Sequence, residues 1–173
     1  MYEEKSGVMK TLAVLLTLLI CISMTASPIG ASQGKWLSYK GAYFEIKYPS
    51  EFRVRPSQRS DENPDSAFFT APDGSVEFYV FSPIWNGDPR DIEINEAIES
   101  YASQNTQTRN GIKIRRVTIR AKDGSYLRSF EDTENTNTNN RTVFGIKYRD
   151  QNVYSKYRQT YLTFKKSIKQ FAD

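Results

Sequence analysis

The stretch APDGSVEFYVFSPIW, residues 71–85, limits the possible folds more than any other part of the chain. Pro72-Asp73-Gly74 is a turn signal, and the run after it places Phe78, Tyr79 and Phe81 on both parities of a strand. A strand with one face in water alternates apolar and polar residues. Aromatics on both parities therefore require either a cover on each face or a binding surface. The hairpin with SAFFTA, residues 66–71, has two registers. A two-residue loop pairs Phe69 with Phe78, and a three-residue loop pairs Phe68 with Phe78. The second suits Pro72 better, because that position presets φ and needs no ladder donor. In either register each face keeps a Phe or Tyr, so a cover on both faces is expected. Trp85 follows Pro83, beyond the strand, and is the one aromatic of the stretch expected at the surface.

Other segments supply the layers. YFEIKYP at 43–49 alternates and ends at Pro49, and FRVRP at 52–56 continues the sheet after a turn. IKIRRVTIRA at 112–121 and SYLRSFED at 125–132, joined by Asp123-Gly124, form a second hairpin, and TVFGIKYR at 142–149 is a further strand. Two segments have helical period. In DIEINEAIESYAS, residues 91–103, Ile94, Ala97, Ile98, Tyr101 and Ala102 share a face, with Asp91 placed to cap it. In YSKYRQTYLTFKKSIKQF, residues 154–171, Tyr157, Tyr161, Phe164, Ile168 and Phe171 share a face, with Asp150 or Asn152 as cap and lysines near the C-terminus. The order predicts an α+β fold: a mainly antiparallel β-sheet covered by helices on both faces, an α/β/α sandwich.

The second hairpin leaves two registers open. One sets Arg128 opposite Ile119, beside Val117 and Phe130. The other sets Leu127 there and Arg120 beside Arg128, opposing like charges. In the first, the guanidinium needs an acceptor, either a ligand carboxylate or phosphate or an internal partner, with Glu131 or Glu134 favoured. Arg115-Arg116 interrupts the alternation between Ile114 and Val117 and reads as a bulge.

Residues 11–26, TLAVLLTLLICISMTA, are apolar and follow Lys10, too short a run to span a membrane and suited to a secretory signal. Cleavage is expected after Ala31, giving a signal peptide at 1–31 and a single domain at 32–173. Met9 is a more ordinary start than Met1, whose following residues are acidic. Cys21 lies inside the apolar core with Ile20 before it, which disfavours lipidation. The remaining 142 residues contain no cysteine. That suits export to a periplasm, a thylakoid lumen or the extracellular space without disulfide staples.

Histidine is absent altogether. This removes the usual general base, proton shuttle and metal ligand, and the cysteine-free domain lacks thiol nucleophiles and ordinary zinc sites. Paired carboxylates remain as the chemistry for a hydrolase. The acidic candidates are Asp61, Glu62 and Asp65, then Glu131, Asp132 and Glu134, both sets in polar, loop-like surroundings. No catalytic, cofactor or metal residue is assigned. The charge is unevenly spread: residues 32–108 carry a net −5 and residues 109–172 a net +10. An oriented field of this kind implies an anionic partner. The candidate binding residues are Lys113, Arg115, Arg116, Arg120 and Lys122 on one hairpin arm, with Arg128 and Trp85. An acidic protein or an anionic membrane surface fits them; nucleic acid does not suit an exported chain.

WLSYKGAYFEIKYPSEFRV, DSAFFTAPDGSVEFYVFSP and the closing amphipathic helix resemble the PsbP-like superfamily, with Phe44–Pro49 the best single match. The resemblance implies a small lumenal or periplasmic α/β/α protein with an accessory, non-enzymatic role in which it docks on a membrane complex or protein partner. Metal binding in that superfamily leans on histidine and does not transfer to a chain without one, so no functional residue is carried over. The expected function is an exported accessory or binding module. The alternative is a carrier of a small anionic or aromatic ligand between sheet and helix, with Arg128 in the site; a carboxylate-dependent hydrolase is a weaker third.

Overall fold

A computed structural model describes residues 34–56 and 65–171. The expected signal segment, its cleavage point, Cys21, Asp61 and Glu62 lie outside the described residues.

Ten strands and one helix make up the described fold. Strands β1 (Trp36–Lys40), β2 (Phe44–Pro49) and β10 (Lys169–Gln170) form a small antiparallel sheet in the order β1-β2-β10. The main sheet has seven antiparallel strands: β3 (Arg53–Pro56), β4 (Ser66–Thr70), β5 (Val76–Phe81), β6 (Glu99–Arg109), β7 (Ile112–Ala121), β8 (Leu127–Asn135) and β9 (Asn140–Tyr148). Their spatial order is β3-β4-β5-β9-β8-β7-β6. Helix α1 spans Gln151–Lys166.

The aromatics of β5 are core on both faces: Phe78 is fully buried, and Tyr79 and Phe81 nearly so. Phe78 belongs to the larger core, where the rings of Phe69 and Phe78 lie 5.1 and 5.3 Å from Phe164 of α1 and Tyr39 of β1 meets Phe69 edge-on at 5.6 Å. Burying several such rings is worth roughly 1.5–3 kcal/mol each, which fixes α1 and the small sheet on this face. Because α1 turns Val153, Tyr161 and Phe164 into that core, its apolar side is occupied rather than available to a membrane.

Among the described residues the other face carries no α-helix, so the expected helical cover on both faces is not found. The segment expected to be helical at 91–103 is a single 3-10 turn at Arg90–Ile92, an irregular stretch, and the start of β6. Ile92 is buried against Tyr79, Phe81 and Val143, so a strap at 82–98 covers this face in place of a helix. Two local causes defeat the helical period. Asn95 turns the chain: its carbonyl accepts from the amides of Ile98 and Glu99, and its side chain accepts from the Ala97 amide. From Glu99 onward the backbone pairs with the ten-residue β7, and Ile98 and Tyr101 are left half exposed rather than buried on one helical stripe.

The first hairpin pairs Phe69 with Phe78, so the register expected from Pro72 is corrected by one residue. Asp73 explains it. Its side chain accepts from the Ser75 amide and hydroxyl, and the Gly74 amide bonds back to the Ala71 carbonyl with Gly74 at φ 67°. Pro72 thus sits in a four-residue connection that needs none of its donors. In the second hairpin Arg128 lies opposite Ile119. The bulge expected at Arg115-Arg116 is not there, since both residues pair regularly on both sides; the irregularity falls in β6 between Tyr101 and Ser103.

Helix α1 starts at Asp150, whose carboxylate accepts from the Asn152 and Val153 amides at 2.9 and 3.0 Å. It ends earlier than the sequence period predicts. Ser167 bonds to the Phe164 carbonyl and accepts from the Lys47 amide, and Lys169 then pairs with Glu45 as part of β10.

Candidate interaction surface

The hairpin β6–β7 projects the basic arm singled out from the sequence. Its turn is Asn110-Gly111, at φ 51° and 74°, the pair that best supplies left-handed geometry at both central positions of a two-residue loop. Alternation along β7 divides the five cations. Lys113 and Arg115 share a face with Val117 and Ile119, while Arg116 and Arg120 lie on the opposite, helix-side face. Lys122 follows the strand, and its Nζ donates to the Glu96 carbonyl at 2.6 Å.

Three of these cations have carboxylate partners on β8: Lys113 with Glu134 at 3.6 Å, Arg115 with Asp132 at 3.5 Å, and Arg116 with Glu131 at 2.9 Å. Burial pushes the Glu131 carboxyl up, but bonds from Lys165 and Arg116 outweigh it and hold it below the usual range. Asp132 is buried and also takes both carboxylate bonds from Arg141. Arg109 and Arg120 are exposed and have no ion pair among the described residues, so they and Lys122 carry the outward positive charge of the hairpin. Of the carboxylates considered for a hydrolase, Glu131, Asp132 and Glu134 are each ion-paired with a cation of β7. Burial raises the Asp65 carboxyl, and the charge of Asp91 adds to the effect.

Arg128 lies on the strap side of the sheet, away from α1. Its Nε and Nη2 donate to the two Glu99 oxygens, each at 2.6 Å, and Nη2 also reaches the Glu93 carbonyl. Burial alone raises the Glu99 carboxyl. The bonds from Arg128, the Asn95 amide and the Tyr126 hydroxyl outweigh it and set the pKa at about 2. The internal partner expected for Arg128 exists, but it is Glu99 rather than Glu131 or Glu134. The sequence hides this partner, because Glu99 opens a strand whose residue spacing predicts a helix. Trp85 is 44% exposed and meets Tyr43 edge-on at 5.2 Å.

Two open cavities flank the hairpin. One of about 410 Å³ lies under the strap, lined by Ile94, Tyr101, Arg115, Val117, Ile119 and Phe130 among others. The other, about 520 Å³, is a groove between α1 and the polar helix-side face of β6–β8, with Arg116, Arg158, Lys165, Tyr154 and Tyr161 on its walls. Among the described residues no group of three or more His, Cys, Asp or Glu could hold a metal ion, and no helix is long and apolar enough to cross a membrane.

Fold and surface together define an α+β module with a long, open sheet edge beside a basic hairpin. No family model matches the sequence, and no curated protein matches it. Solved structures similar to this one include the cyanobacterial PsbP protein (CyanoP) of Synechocystis sp., at 11% identity over 82% of this chain and 96% of that one, TM-score 0.47. The Ran-binding protein Mog1p of Saccharomyces cerevisiae is similar at 9% identity over 79% of this chain and 96% of that one, TM-score 0.44. A Bacteroides thetaiotaomicron protein is similar at 12% identity over 82% of this chain and 50% of that one, TM-score 0.44.

Proposed function

We propose that this protein is an exported, non-catalytic accessory module that docks on an acidic protein partner, alone or within a membrane complex, through the β6–β7 hairpin. One observation carries the reading. Residues 99–122 hold six Lys and Arg against a single carboxylate, Glu99, which is buried and bound to Arg128. The remaining compensation comes from β8 and leaves Arg109, Arg120 and Lys122 facing outward. Such a surface steers an acidic partner and sets the association rate more than the final affinity. The test is association with the partner isolated from the native envelope, measured across ionic strength. Binding that weakens steeply with salt supports the reading; equal binding at low and high salt contradicts it.

A second reading, a carrier of a small anionic ligand, is favoured by the groove of about 520 Å³ between α1 and the sheet. That volume suits a small molecule, with Arg116, Arg158 and Lys165 to meet an anion. Arg128, engaged with Glu99 on the other face, has no part in it.

A further inference from the structure

The two edges of the seven-stranded sheet are guarded very differently. Strand β3 is four residues long, carries Arg53 and Arg55, and ends at Pro56. Shortness, charge and proline are the usual devices that keep an edge from pairing with another chain. Strand β6 has eleven residues. Beyond its bulge it runs Ser103, Gln104, Asn105, Thr106, Gln107, Thr108, all exposed, with no charge, proline or glycine among them. Its one strand neighbour among the described residues is β7. In an antiparallel pair, alternate residues turn their N–H and C=O away from the partner strand. The outer row of β6 is therefore a free ladder about 20 Å long.

The surroundings select what can pair there. Arg116 and Arg120 stand on the helix-side face of the adjacent strand, and Arg109 ends β6 itself. An added strand lies two strand spacings, about 10 Å, from β7, a gap that an arginine and a facing glutamate bridge together. A second copy of β6 would bring this arginine set against itself with no free carboxylate in return. On the strap side, half-exposed Tyr101 borders the cavity of about 410 Å³, whose apolar walls include Ile94, Val117 and Ile119. The Arg115 Nε atom, also at this cavity, is buried with no hydrogen-bond partner among the described residues and lies 3.5 Å from Asp132.

We propose that β6 receives an extended, acidic segment of a partner protein as an eighth strand of the main sheet. The backbone of Ser103–Thr108 pairs with it, its carboxylates meet Arg109 and Arg120, and an apolar side chain near its end enters the cavity beside Tyr101. This rests on the docking reading above and specifies the contact as main-chain pairing.

The probe is a capped peptide of alternating glutamate and valine. Its control is a peptide of equal length and charge with proline in place of valine, which stays extended but lacks every second donor. Binding is followed by the exchange rates and chemical shifts of the β6 amides in the wild-type chain. Two variants, Gln104→Pro and Asn105→Pro, accompany it; one of the two removes an outward N–H and leaves the hairpin ladder whole, and an unchanged melting temperature identifies it. The glutamate–valine peptide should slow exchange of alternate β6 amides, bind more tightly than the proline peptide, and lose at least about fivefold in affinity to the fold-neutral variant. If both peptides bind alike, with salt dependence but no β6 protection, strand addition is wrong while electrostatic docking stands. If neither binds, both ideas fail. Protection of β6 that rises with protein concentration alone, or binding only to phosphatidylglycerol vesicles, identifies a second copy or a membrane as the occupant and contradicts the proposal. Should both proline variants unfold, the exchange pattern of the wild-type chain still decides.

Discussion

Arg128 and Glu99 form a buried, two-pronged ion pair that joins β8 to the first residue of β6, each of its two bonds 2.6 Å long. The Tyr126 hydroxyl and the Asn95 amide complete the carboxylate's bonding. The strap and the start of the edge strand are thereby tied to the sheet by one residue. Removing one partner of such a pair strands the other charge and costs about 3–5 kcal/mol. Glu99→Ala should therefore lower stability by that amount in denaturant titration, whereas replacing both residues by Leu and Met should cost far less. Equal losses in the single and double variants would show that the site is held by packing alone.

The same carboxylate predicts an acid sensitivity. Its pKa is about 2 in the fold against 4.5 unperturbed. A depressed folded pKa means stabilisation that is complete above the unfolded value and lost as pH falls toward the folded one. A shift of that size corresponds to about 3 kcal/mol, an order-of-magnitude figure. Stability should fall between about pH 4.5 and 2, and Glu99→Gln should flatten that part of the profile while lowering stability at neutral pH. An unchanged slope in the variant would assign the acid transition to other carboxylates.

Phe164 has no exposed surface and touches the rings of Phe69, Phe78, Phe144 and Tyr161. It is the main pin between α1 and the seven-stranded sheet. Phe164→Ala should cost about 3–5 kcal/mol, read as a shift in the unfolding midpoint with little change in slope. A loss well under that range would mean that α1 contributes little to the core.

Gly145 of β9 lies between Phe130 and Tyr79, and a Cβ there would sit 2.6 Å from the Phe130 ring. Gly145→Ala should destabilise by about 1–3 kcal/mol through overpacking. A neutral result would show that Phe130 can swing toward the neighbouring cavity under the strap.

Much of this was legible in the sequence, for local reasons. The two hairpins follow from Asp-Gly turns, α1 from its four-three spacing and Asp150, and the buried state of Phe78, Tyr79 and Phe81 from their double parity. Strand β6 was not, because Ile94, Ala97, Ile98, Tyr101 and Ala102 fit a helical stripe that a short turn at Asn95 and pairing with β7 override. A signal for it was present: Asn110-Gly111 lies between the two strands and is a strong short hairpin mark. Without β6, neither the partner of Arg128 nor the open edge could be read. The register at Pro72 escaped because the Asp73 side chain, not the proline, sets that turn.

Among the cations of the hairpin, Arg120 separates docking from folding most cleanly. It is exposed and without an ion pair among the described residues, while Lys122 also holds the Glu96 carbonyl. Arg120→Gln should slow association with an acidic partner and leave the melting temperature nearly unchanged. Lys122→Gln should do both, slowing association and loosening the strap. Equal association rates for Arg120→Gln and the wild type would place the contact elsewhere.

The most direct test of docking through this hairpin is a photo-activated crosslinking residue at Gln104, with a second at Val54 of the opposite edge, in the full chain made in its native host. The adduct peptide is sequenced, and the experiment is repeated on the Arg120→Gln background. The account predicts adducts at Gln104 to an acidic protein segment, reduced by Arg120→Gln and by salt, and none of that kind at Val54. Equal capture from both edges, or adducts at Gln104 that are lipid, a second copy, or a non-acidic segment indifferent to Arg120, would contradict it.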